Sequence, residues 1–479
     1  MKKQLVNPYL PANICIPDGE PKVYGDRVYL YGSHDIPGTK FPCQGDYQCW
    51  SAPVDDLSAW RNEGIIYRRQ QDPYIKRMMA HKLCLPFYKY LFAPDVVEVK
   101  GRWYLYYGVG MSGAGIGVAV ADQPIGPFNY LGRVHYPGPA NLTDVDGDDE
   151  FLLGKGQPMF TMPLGIPHYH LAYYPYDPAV LYDNGRLFLY FGYQHCYVTE
   201  LSPNDMRTMV KAPEIQNYIS PDFAMNGDGW RMENGASIRK YDDRYYLSYY
   251  ATKKRASALC YATAVSPFGP FSYQGVLVSL GDSAFHQPTA YLGTTHGGMF
   301  YANGHYYQNF HRQTGSRYSD RQAWLVELKM NPNGAFSPAK FTSQVQRQGG
   351  LAWDYQYQAA SACVFLDRNG KCQKKTTPYL MIKGRQQCVT NLRDGSIVGF
   401  KYLDFRQAPC CLNLTLNFTG KCQGIVELLL DRHIAGKVII NKESSSGKIK
   451  ITPGIHSVCF RFKGLKKSQF LSFKFSVSE

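Results

Sequence analysis

Three acidic residues occupy matching places in repeated segments of this chain, and together they could catalyse hydrolysis. Each acid precedes an arginine of a recurring segment by a similar number of residues. Asp18 lies nine residues before Arg27, and Asp177 lies nine residues before Arg186. Glu233 lies eleven residues before Arg244. A single acid in a phrase rich in Gly or Pro is usually a turn residue. Three acids at near-equivalent places in three repeats are hard to attribute to turns alone.

Grouped carboxylates are suited to cleaving a glycosidic bond. One carboxylic acid protonates the leaving oxygen, and a second carboxylate activates water or attacks directly. A third negative charge nearby raises the pKa of the acid, because like charges disfavour ionisation. These acids are far apart in sequence, so this chemistry requires a fold that brings their repeats around one axis.

The elements that would position them are five copies of one short segment, a turn followed by alternating aromatic and aliphatic residues. The copies recur every 60 to 85 residues or so: GDRVYLYGS from Gly25, GRWYLYYGV from Gly101, NGRLFLYFG from Asn184, DDRYYLSYY from Asp242 and NGHYYQNFH from Asn303. A strand-turn segment at such a period is typical of a radial all-β repeat. We therefore predict a five-bladed β-propeller over residues 1–340, with each acid at the start of a channel-lining strand.

A second all-β region is predicted after the repeats end. From about residue 351 to 479, short alternating segments such as LNLTLNF and FLSFKFSV are separated by turns. About 130 residues of this kind are typical of a β-sandwich. The fold class is thus all-β, a propeller followed by a sandwich, and the best helical or irregular insertion lies around residues 69–91.

Composition excludes several classes of function. The net charge of +14 comes from 52 basic and 38 acidic residues, but the basic residues are mostly scattered and no nucleic-acid module accompanies them. No apolar run reaches the roughly 20 residues of a membrane helix. The first residues lack a signal-peptide pattern, and the 13 cysteines show no metal-type spacing. We expect reduced thiols in a cytoplasmic protein, whereas removal of a leader would imply secretion.

The order of these phrases resembles glycoside hydrolase family 43. The resemblance covers about residues 7 to 340 and rests on NPYLP, GDRVYLYGSHD, APDVVEVKGRWYLYYG and the acid-bearing phrases. It implies a five-bladed propeller that acts on arabinose- or xylose-containing glycans by inversion. We therefore expect an exo-acting enzyme that releases a terminal pentose, α-L-arabinofuranose or β-D-xylose, from plant-glycan oligosaccharides, with no organic cofactor.

The resemblance also implies a role for each acid. Glu233 matches the general acid, Asp177 the residue that tunes and orients that acid, and Asp18 the general base. Family members usually have Pro directly after the base, whereas Gly19 and Glu20 follow here. Glu20, which does precede a proline, is therefore a rival base. An inverting pair should lie roughly 6.5 to 9.5 Å apart to admit a water molecule.

Other positions are matched to substrate or metal binding. The resemblance makes His296 the channel histidine associated with a metal ion, commonly calcium; a buried core histidine is the alternative. Arg321 matches an arginine that contacts substrate, with Arg312 as its competitor. Asp95 lies in a phrase that faces the sugar, unless it is a turn residue. Aromatic rings at three further positions are either sugar-stacking platforms or core residues: Trp50, Phe92 and Trp230.

Two further segments have more than one interpretation. The C-terminal region resembles a family 6 carbohydrate-binding module, although the usual opening acid is replaced near Gln358; a sandwich that braces the propeller is the alternative. The acidic loop DVDGDDE, residues 144–150, misses the spacing of an EF-hand and is interpreted as a solvated loop.

Two other functions remain open from the sequence. The altered phrase after Asp18 is compatible with a carbohydrate-binding protein of weak catalytic activity. A propeller glycosidase or phosphorylase acting on fructosides or mannosides is a further alternative, and a phosphate requirement would identify it. No phosphate-binding motif is evident in the sequence.

Overall fold

A computed structural model describes most of the chain. The described residues are 4–80, 89–109, 115–135, 176–211, 214–215, 229–253, 256–280, 289–291, 293–315, 317–373, 375–465 and 467–478. Helix is scarce within them: a 3-10 turn spans Arg69–Gln71 and α1 spans Pro73–Ala80, which confirms the predicted insertion up to residue 80. None of the described helices has the length and apolar character needed to cross a membrane.

Five four-stranded antiparallel sheets follow one another along the chain, each with its strands in sequence order. The first sheet contains β1 (Glu20–Tyr24), β2 (Arg27–Tyr31), β3 (Tyr47–Pro53) and β4 (Arg61–Tyr67). The second contains β5 (Leu91–Val99), β6 (Arg102–Val109), β7 (Ile116–Ala121) and β8 (Asn129–Arg133). The third contains β9 (Ala179–Asp183), β10 (Arg186–Phe191), β11 (Tyr197–Leu201) and β12 (Glu214–Ile215).

The fourth and fifth sheets complete this series. The fourth contains β13 (Arg231–Tyr241), β14 (Arg244–Lys253), β15 (Ala256–Ala264) and β16 (Ser272–Ser279). The fifth contains β17 (Met299–Ala302), β18 (His305–Gln313), β19 (Arg321–Met330) and β20 (Phe336–Ser337).

Each repeated sequence segment forms the first turn and the second strand of one sheet. These second strands, β2, β6, β10, β14 and β18, are rich in Tyr, Phe and Leu, which favour strands. Several inner strands are buried on both sides, as β7 is along its whole length, because each sheet is covered on both faces. Each repeated segment therefore belongs to one sheet of four strands.

The first strands of the five sheets contact one another in cyclic order. β1 contacts β5, β5 contacts β9, β9 contacts β13, β13 contacts β17, and β17 contacts β1. The side chains that these strands direct towards one another therefore surround a common axis. All three predicted acids lie in or just before one of these first strands.

The remaining described residues form two six-stranded sheets. The shorter and earlier strands are β21 (Leu351–Ala352), β22 (Tyr357–Gln358), β23 (Val364–Leu366), β24 (Tyr379–Lys383), β25 (Gln386–Thr390) and β26 (Ile397–Asp404). The later ones are β27 (Cys411–Gly420), β28 (Gly424–Leu430), β29 (His433–Ile440), β30 (Ser444–Lys450), β31 (Ile455–Lys463) and β32 (Ser468–Val477). One sheet has the order β21-β26-β31-β28-β29 with β23 beside β26, and the other has β24-β25-β32-β27-β30 with β22 beside β32.

These C-terminal strands alternate between buried and exposed residues, as β27 does along its length. Such alternation is typical of a sheet with one face on a core and one in water. Their core is continuous with that of the fifth sheet, since Phe310 and Trp324 belong to the same buried cluster as Phe400 and Phe473. The twelve described cysteines are all free thiols.

Candidate active site

Asp18 lies at the end of the axis where the chain enters β1. Its backbone has φ 56°, a left-handed conformation that Asp tolerates better than most residues. The carboxylate is 6% exposed and contacts Nη1 of Arg321 at 3.2 and 3.3 Å. Burial alone would raise the pKa of Asp18, but Arg321, His311 and His296 lower it to about 2. Asp18 is therefore ionised at neutral pH.

The arginine that holds Asp18 is itself fixed by a residue that the sequence analysis missed. Asp35 is fully buried, and its two oxygens accept hydrogen bonds from Nε and Nη2 of Arg321, both at 2.9 Å. A bidentate pair of this kind fixes the plane of the guanidinium group. Asp35 therefore holds Arg321 in place while its remaining nitrogen faces Asp18. Asp35 is the acid of the phrase GSHD, but nothing in the spacing of that phrase indicated that it pairs with Arg321.

His311 contacts Asp18 from the fifth sheet. Its Nδ1 accepts a hydrogen bond from the backbone N–H of Asp18 at 3.1 Å, and its Nε2 lies 3.1 Å from Oγ1 of Thr294. Burial lowers the pKa of His311 to about 3, so the ring is neutral. A neutral ring that accepts at Nδ1 carries its proton on Nε2 and donates it to Thr294. His311 thus secures the backbone turn that presents Asp18.

Asp177 takes the equivalent place before β9. It also has a left-handed backbone, with φ 47°, and is 5% exposed. Its Oδ2 accepts a hydrogen bond of 2.7 Å from Nδ2 of Asn234, the residue directly after Glu233. Burial raises the pKa of Asp177 to about 7, an effect that His296 opposes and Asp18 reinforces. Asp177 therefore retains a proton to much higher pH than an ordinary aspartate.

Glu233 lies in an irregular stretch of β13. The pairing with β14 shifts between Met232 and Asn234 and again between Asn234 and Ser237, which inserts two extra residues. These insertions account for the spacing of eleven instead of nine, and bulges often re-aim side chains at active sites. The Glu233 carboxylate is half-buried, and its Oε1 accepts a hydrogen bond of 2.7 Å from Oγ1 of Thr252.

His296 lies among the acids and connects them. Its Nδ1 is 3.8 Å from Oδ1 of Asp18 and 3.9 Å from Oδ2 of Asp177, and its Nε2 is 3.6 Å from Oε1 of Glu20. These distances exceed hydrogen-bonding range, and neither ring nitrogen has a hydrogen-bond partner among the described residues. Burial would lower the pKa of His296, but the three carboxylates raise it to about 9. A side chain at Gly235 would overlap this ring.

Glu20, the rival base, is committed to a different contact. It is 1% exposed, and its Oε2 accepts hydrogen bonds from Nη2 of Arg239 at 2.6 Å and from Oγ of Ser237 at 2.9 Å. Burial would raise the pKa of Glu20, but Arg239, His296 and Lys22 together lower it to about 2. Asp18 and Asp177 lie at Nδ1 of His296, whereas Glu20 lies at Nε2. Glu20 is thus held apart from the place where Asp18 and Asp177 meet.

Asp95 is not available to a sugar. It is fully buried, and its carboxylate is 2.8 Å from Nζ of Lys22. The backbone N–H groups of Val96 and Val180 donate to its two oxygens at 2.8 and 2.9 Å. The predicted sugar contact of Asp95 is therefore replaced by an ion pair on the axis. Burial raises the pKa of Asp95, and Lys22 opposes that effect.

The three candidate stacking residues have different environments. Trp50 is 5% exposed and packs in a core between the first and fifth sheets, with Leu30 and Leu325, so it is a core residue and not a sugar platform. Trp230 is also nearly buried, in a core of the fourth sheet. Phe92 packs against Cys43, whose sulfur lies 3.1 Å from Nη2 of Arg321. Of the three, only Phe92 is connected in this way to the arginine beside Asp18.

Arg312, the competitor of Arg321, points away from the acids. It is fully buried and donates to the backbone oxygens of Ala360 and Ala362 at 2.8 and 2.5 Å. Its guanidinium carbon lies 4.2 Å from the ring centre of Trp324. Arg312 therefore joins the fifth sheet to the C-terminal region, and Arg321 is the arginine that meets the acids. The acidic loop at 144–150 lies outside the described residues.

The raised pKa of Asp177 gives a prediction for stability. The folded protein binds this proton more tightly than the unfolded chain, so the free energy of unfolding falls as the pH rises from about 4 to about 7. Asp177→Asn stays neutral and can still accept from Asn234. We expect the melting temperature of the variant, relative to that of the wild type, to rise over this pH interval and then level off.

Thermal melts of both proteins between pH 4 and 9 measure this difference. Asp243→Asn, a change in an exposed turn, is the control and should follow the wild type at every pH. A difference between Asp177→Asn and wild type that does not vary with pH would contradict a raised pKa at this residue.

Comparison with known proteins agrees with this site. Residues 9–149 match the family model described as glycosyl hydrolases family 43. A xylosidase/arabinosidase of Thermoclostridium stercorarium is 32% identical to this chain, and the match covers 99% of both proteins. An arabinoxylan arabinofuranohydrolase of Bacillus subtilis is 24% identical, over 80% of this chain and 74% of that protein.

Solved structures share the fold of most of this chain. A family 43 enzyme of Xanthomonas citri, complexed with xylotriose, matches 71% of this chain and 94% of its own with a TM-score of 0.50 and 21% identity. A β-xylosidase/α-arabinofuranosidase from a compost metagenome, described as a calcium-free form with xylotriose, gives the same TM-score and identity. With the full-length match at 32% identity, these similarities show that the chain belongs to glycosyl hydrolase family 43 and is a glycoside hydrolase.

Proposed function

We propose that this chain is an exo-acting, inverting glycoside hydrolase that releases a terminal α-L-arabinofuranose or β-D-xylose from plant-glycan oligosaccharides. The observation that carries the proposal is the meeting of Asp18 and Asp177 at one nitrogen of His296, with Glu233 next to the residue that binds Asp177. The relatives of this chain include a xylosidase/arabinosidase and an arabinoxylan arabinofuranohydrolase, which supports the choice of sugar.

The three acids divide the reaction between them in this proposal. Asp18 is the general base, because Arg321 keeps it ionised and able to take a proton from water. Glu233 is the general acid that gives its proton to the leaving oxygen as the bond to the sugar breaks. Asp177 positions Glu233 through its hydrogen bond with Asn234, the residue directly after Glu233. Water attacks on the face opposite the leaving group, so the configuration inverts.

The architecture proposed for this enzyme is a five-bladed propeller over residues 1–340 and a β-sandwich over 351–479. The cyclic contacts of the five first strands support the propeller, and the two C-terminal sheets with alternating burial support the sandwich. The hydrogen bonds from Arg312 to Ala360 and Ala362 favour a bracing role for the C-terminal region. Sugar binding there, in the manner of a family 6 module, and a cytoplasmic location stay predictions.

Calcium at His296 is the cofactor that the resemblance implies, and the surrounding donors do not fit it. Ca²⁺ takes about six to eight oxygen ligands. Within the described part of the chain, Nε2 of His296 faces Oε1 of Glu20, whose other oxygen is already paired with the cationic Arg239. No group of three or more His, Cys, Asp or Glu side chains among those residues is arranged so that it could hold one metal ion. No step of the reaction is therefore assigned to a metal ion.

Product analysis tests the proposed function. Chromogenic arabinofuranosides, xylosides and galactofuranosides identify the sugar, and proton NMR during the first turnovers identifies the anomer released. We expect turnover of an arabinofuranoside or xyloside, with the inverted anomer appearing first. First release of the retained anomer would exclude the assigned roles. Binding of oligosaccharides without release would favour a carbohydrate-binding protein, and a requirement for phosphate would favour a phosphorylase.

A further inference from the structure

Four charged side chains fill the axis of the five sheets next to His296, and we refer to them as the axial charge cluster: Glu20, Lys22, Asp95 and Arg239. The cluster consists of two ion pairs. Nη2 of Arg239 lies 2.6 Å from Oε2 of Glu20, and Nζ of Lys22 lies 2.8 Å from Oδ1 of Asp95. Three of its members are less than a tenth exposed and the Lys22 side chain is 13% exposed. None of the four belongs to the proposed acid, base or orienting residues.

Arg239 makes the largest number of contacts in the axial charge cluster. Its Nη2 donates to Oε2 of Glu20 at 2.6 Å and to the backbone oxygen of Pro21 at 3.0 Å. Its Nε donates to the backbone oxygen of Met299 at 2.8 Å, and its Nη1 to that of Ile238 at 2.7 Å. One guanidinium group thus ties β13 to both β1 and β17.

The second pair extends these links around the ring. Lys22 of β1 binds Asp95 of β5, and an oxygen of Asp95 accepts a hydrogen bond from the backbone N–H of Val180 in β9. Together with the contacts of Arg239, the cluster joins the first strands of all five sheets. Gly298 provides the space for the pair of Glu20 and Arg239, because a side chain at this position would overlap both residues.

The positive charge of Arg239 lies on the other side of the Glu20 carboxylate from the place that a metal ion at Nε2 of His296 would take. A cation near Nε2 of His296 would be held by Oε1 of Glu20 and would meet Arg239 across the same carboxylate. Two like charges so close together in a buried site repel strongly, because water screens them little. The guanidinium group therefore competes with a metal ion for the negative charge of Glu20.

We propose that Arg239 is the resident cation of this axis and supplies, through the axial charge cluster, the cross-strand linkage and charge neutralisation that a divalent ion would otherwise supply. The stability and the activity of this enzyme then require no divalent metal ion. The melting temperature reports on this inference without sugar cleavage, so its failure is distinguishable from a failure of the proposed function.

The first test uses the unmodified protein. The calcium content of the purified protein is measured by elemental analysis before any chelator is added. Its melting temperature and turnover are then measured before dialysis against EDTA, after dialysis, and after addition of millimolar CaCl₂. We expect less than stoichiometric calcium and no change in either quantity. Stoichiometric calcium, or a melting temperature that falls with EDTA and returns with CaCl₂, would overturn the proposal.

The second test removes the cation. Arg239→Met leaves Glu20 buried without its partner. Removing one member of a buried ion pair lowers the free energy of unfolding far more than replacing both members with neutral residues. We expect a melting temperature lower by on the order of 10 °C. The double variant Glu20→Gln/Arg239→Met should regain much of that loss, because no unpaired charge remains. Arg186→Met, which breaks an exposed pair with Glu200, is the control and should change little.

A melting temperature of Arg239→Met equal to that of Arg186→Met would also overturn the proposal. If Arg239→Met does not fold, the chelation test on the unmodified protein still decides between a resident arginine and a bound metal ion.

Discussion

Glu233→Gln is expected to lower kcat on an unactivated arabino- or xylo-oligosaccharide by roughly 10²- to 10⁴-fold, the range for loss of a general acid. The amide can still accept a hydrogen bond from Thr252, so the local structure should remain intact. The substituted residue has no proton to give to the leaving oxygen at any pH. Steady-state kinetics on a natural linkage measure the loss, and a thermal melt establishes that the variant is folded.

The leaving group distinguishes an acid from a residue that merely supports the site. An aryl glycoside whose phenol has a low pKa departs without protonation, so its turnover should fall far less in Glu233→Gln than that of an oligosaccharide. Glu443→Gln, an exposed change in the C-terminal region, is the control and should leave both substrates unaffected. An equal loss on both substrates would remove Glu233 from the role of acid.

Asp18→Asn is expected to lower kcat by a similar or larger factor on every substrate, whatever the leaving group. The asparagine tolerates the left-handed backbone at this position but cannot take a proton from water. The loss should therefore not depend on the pKa of the leaving phenol, in contrast to that of Glu233→Gln. Asp26→Asn, a change in the exposed turn after β1, is the matched control.

Azide tests the same assignment by a different route. Asp18→Gly removes the carboxylate at a backbone angle that glycine adopts freely, and azide is an anion that needs no base in order to attack. We expect azide to restore turnover of an aryl glycoside and to yield a glycosyl azide of inverted configuration. If Glu20→Gln, assayed below its melting transition, loses turnover as Asp18→Asn does, the choice of Asp18 over Glu20 is wrong.

The sequence was informative where a pattern repeats. Five similar segments predicted five similar sheets, because alternating aromatic residues next to a tight turn have few other ways to fold. The longer spacing between Glu233 and Arg244 also had a structural cause. The two additional residues of this segment form the two shifts in the pairing of β13 with β14. Because of these shifts, Glu233 occupies the same position relative to the second strand as the acids of the other repeats.

The partners of the acids could not be found in this way. His311 and Arg239 lie on strands of different sheets, and Asp35 lies in the segment between β2 and β3. Their contacts with Asp18 or Glu20 join residues more than 200 positions apart or pass through another side chain. Such contacts depend on how neighbouring sheets meet, which no local pattern encodes. The mistaken roles of Trp50 and Asp95 have the same origin. A tryptophan or an aspartate on an inner strand can face the core, the axis or the substrate, and only the packing of the next sheet decides.

The buried Arg312 has a consequence for how this protein can be divided. Its charge is balanced by the backbone oxygens of residues 360 and 362 and by two aromatic faces, those of Trp324 and Phe365. A fragment ending near residue 340 would leave that guanidinium group and its apolar surroundings uncovered. The adjacent His311 secures the turn of Asp18, so the cut would also affect the proposed base. The C-terminal region should therefore be kept when the enzyme is truncated or fused to other domains.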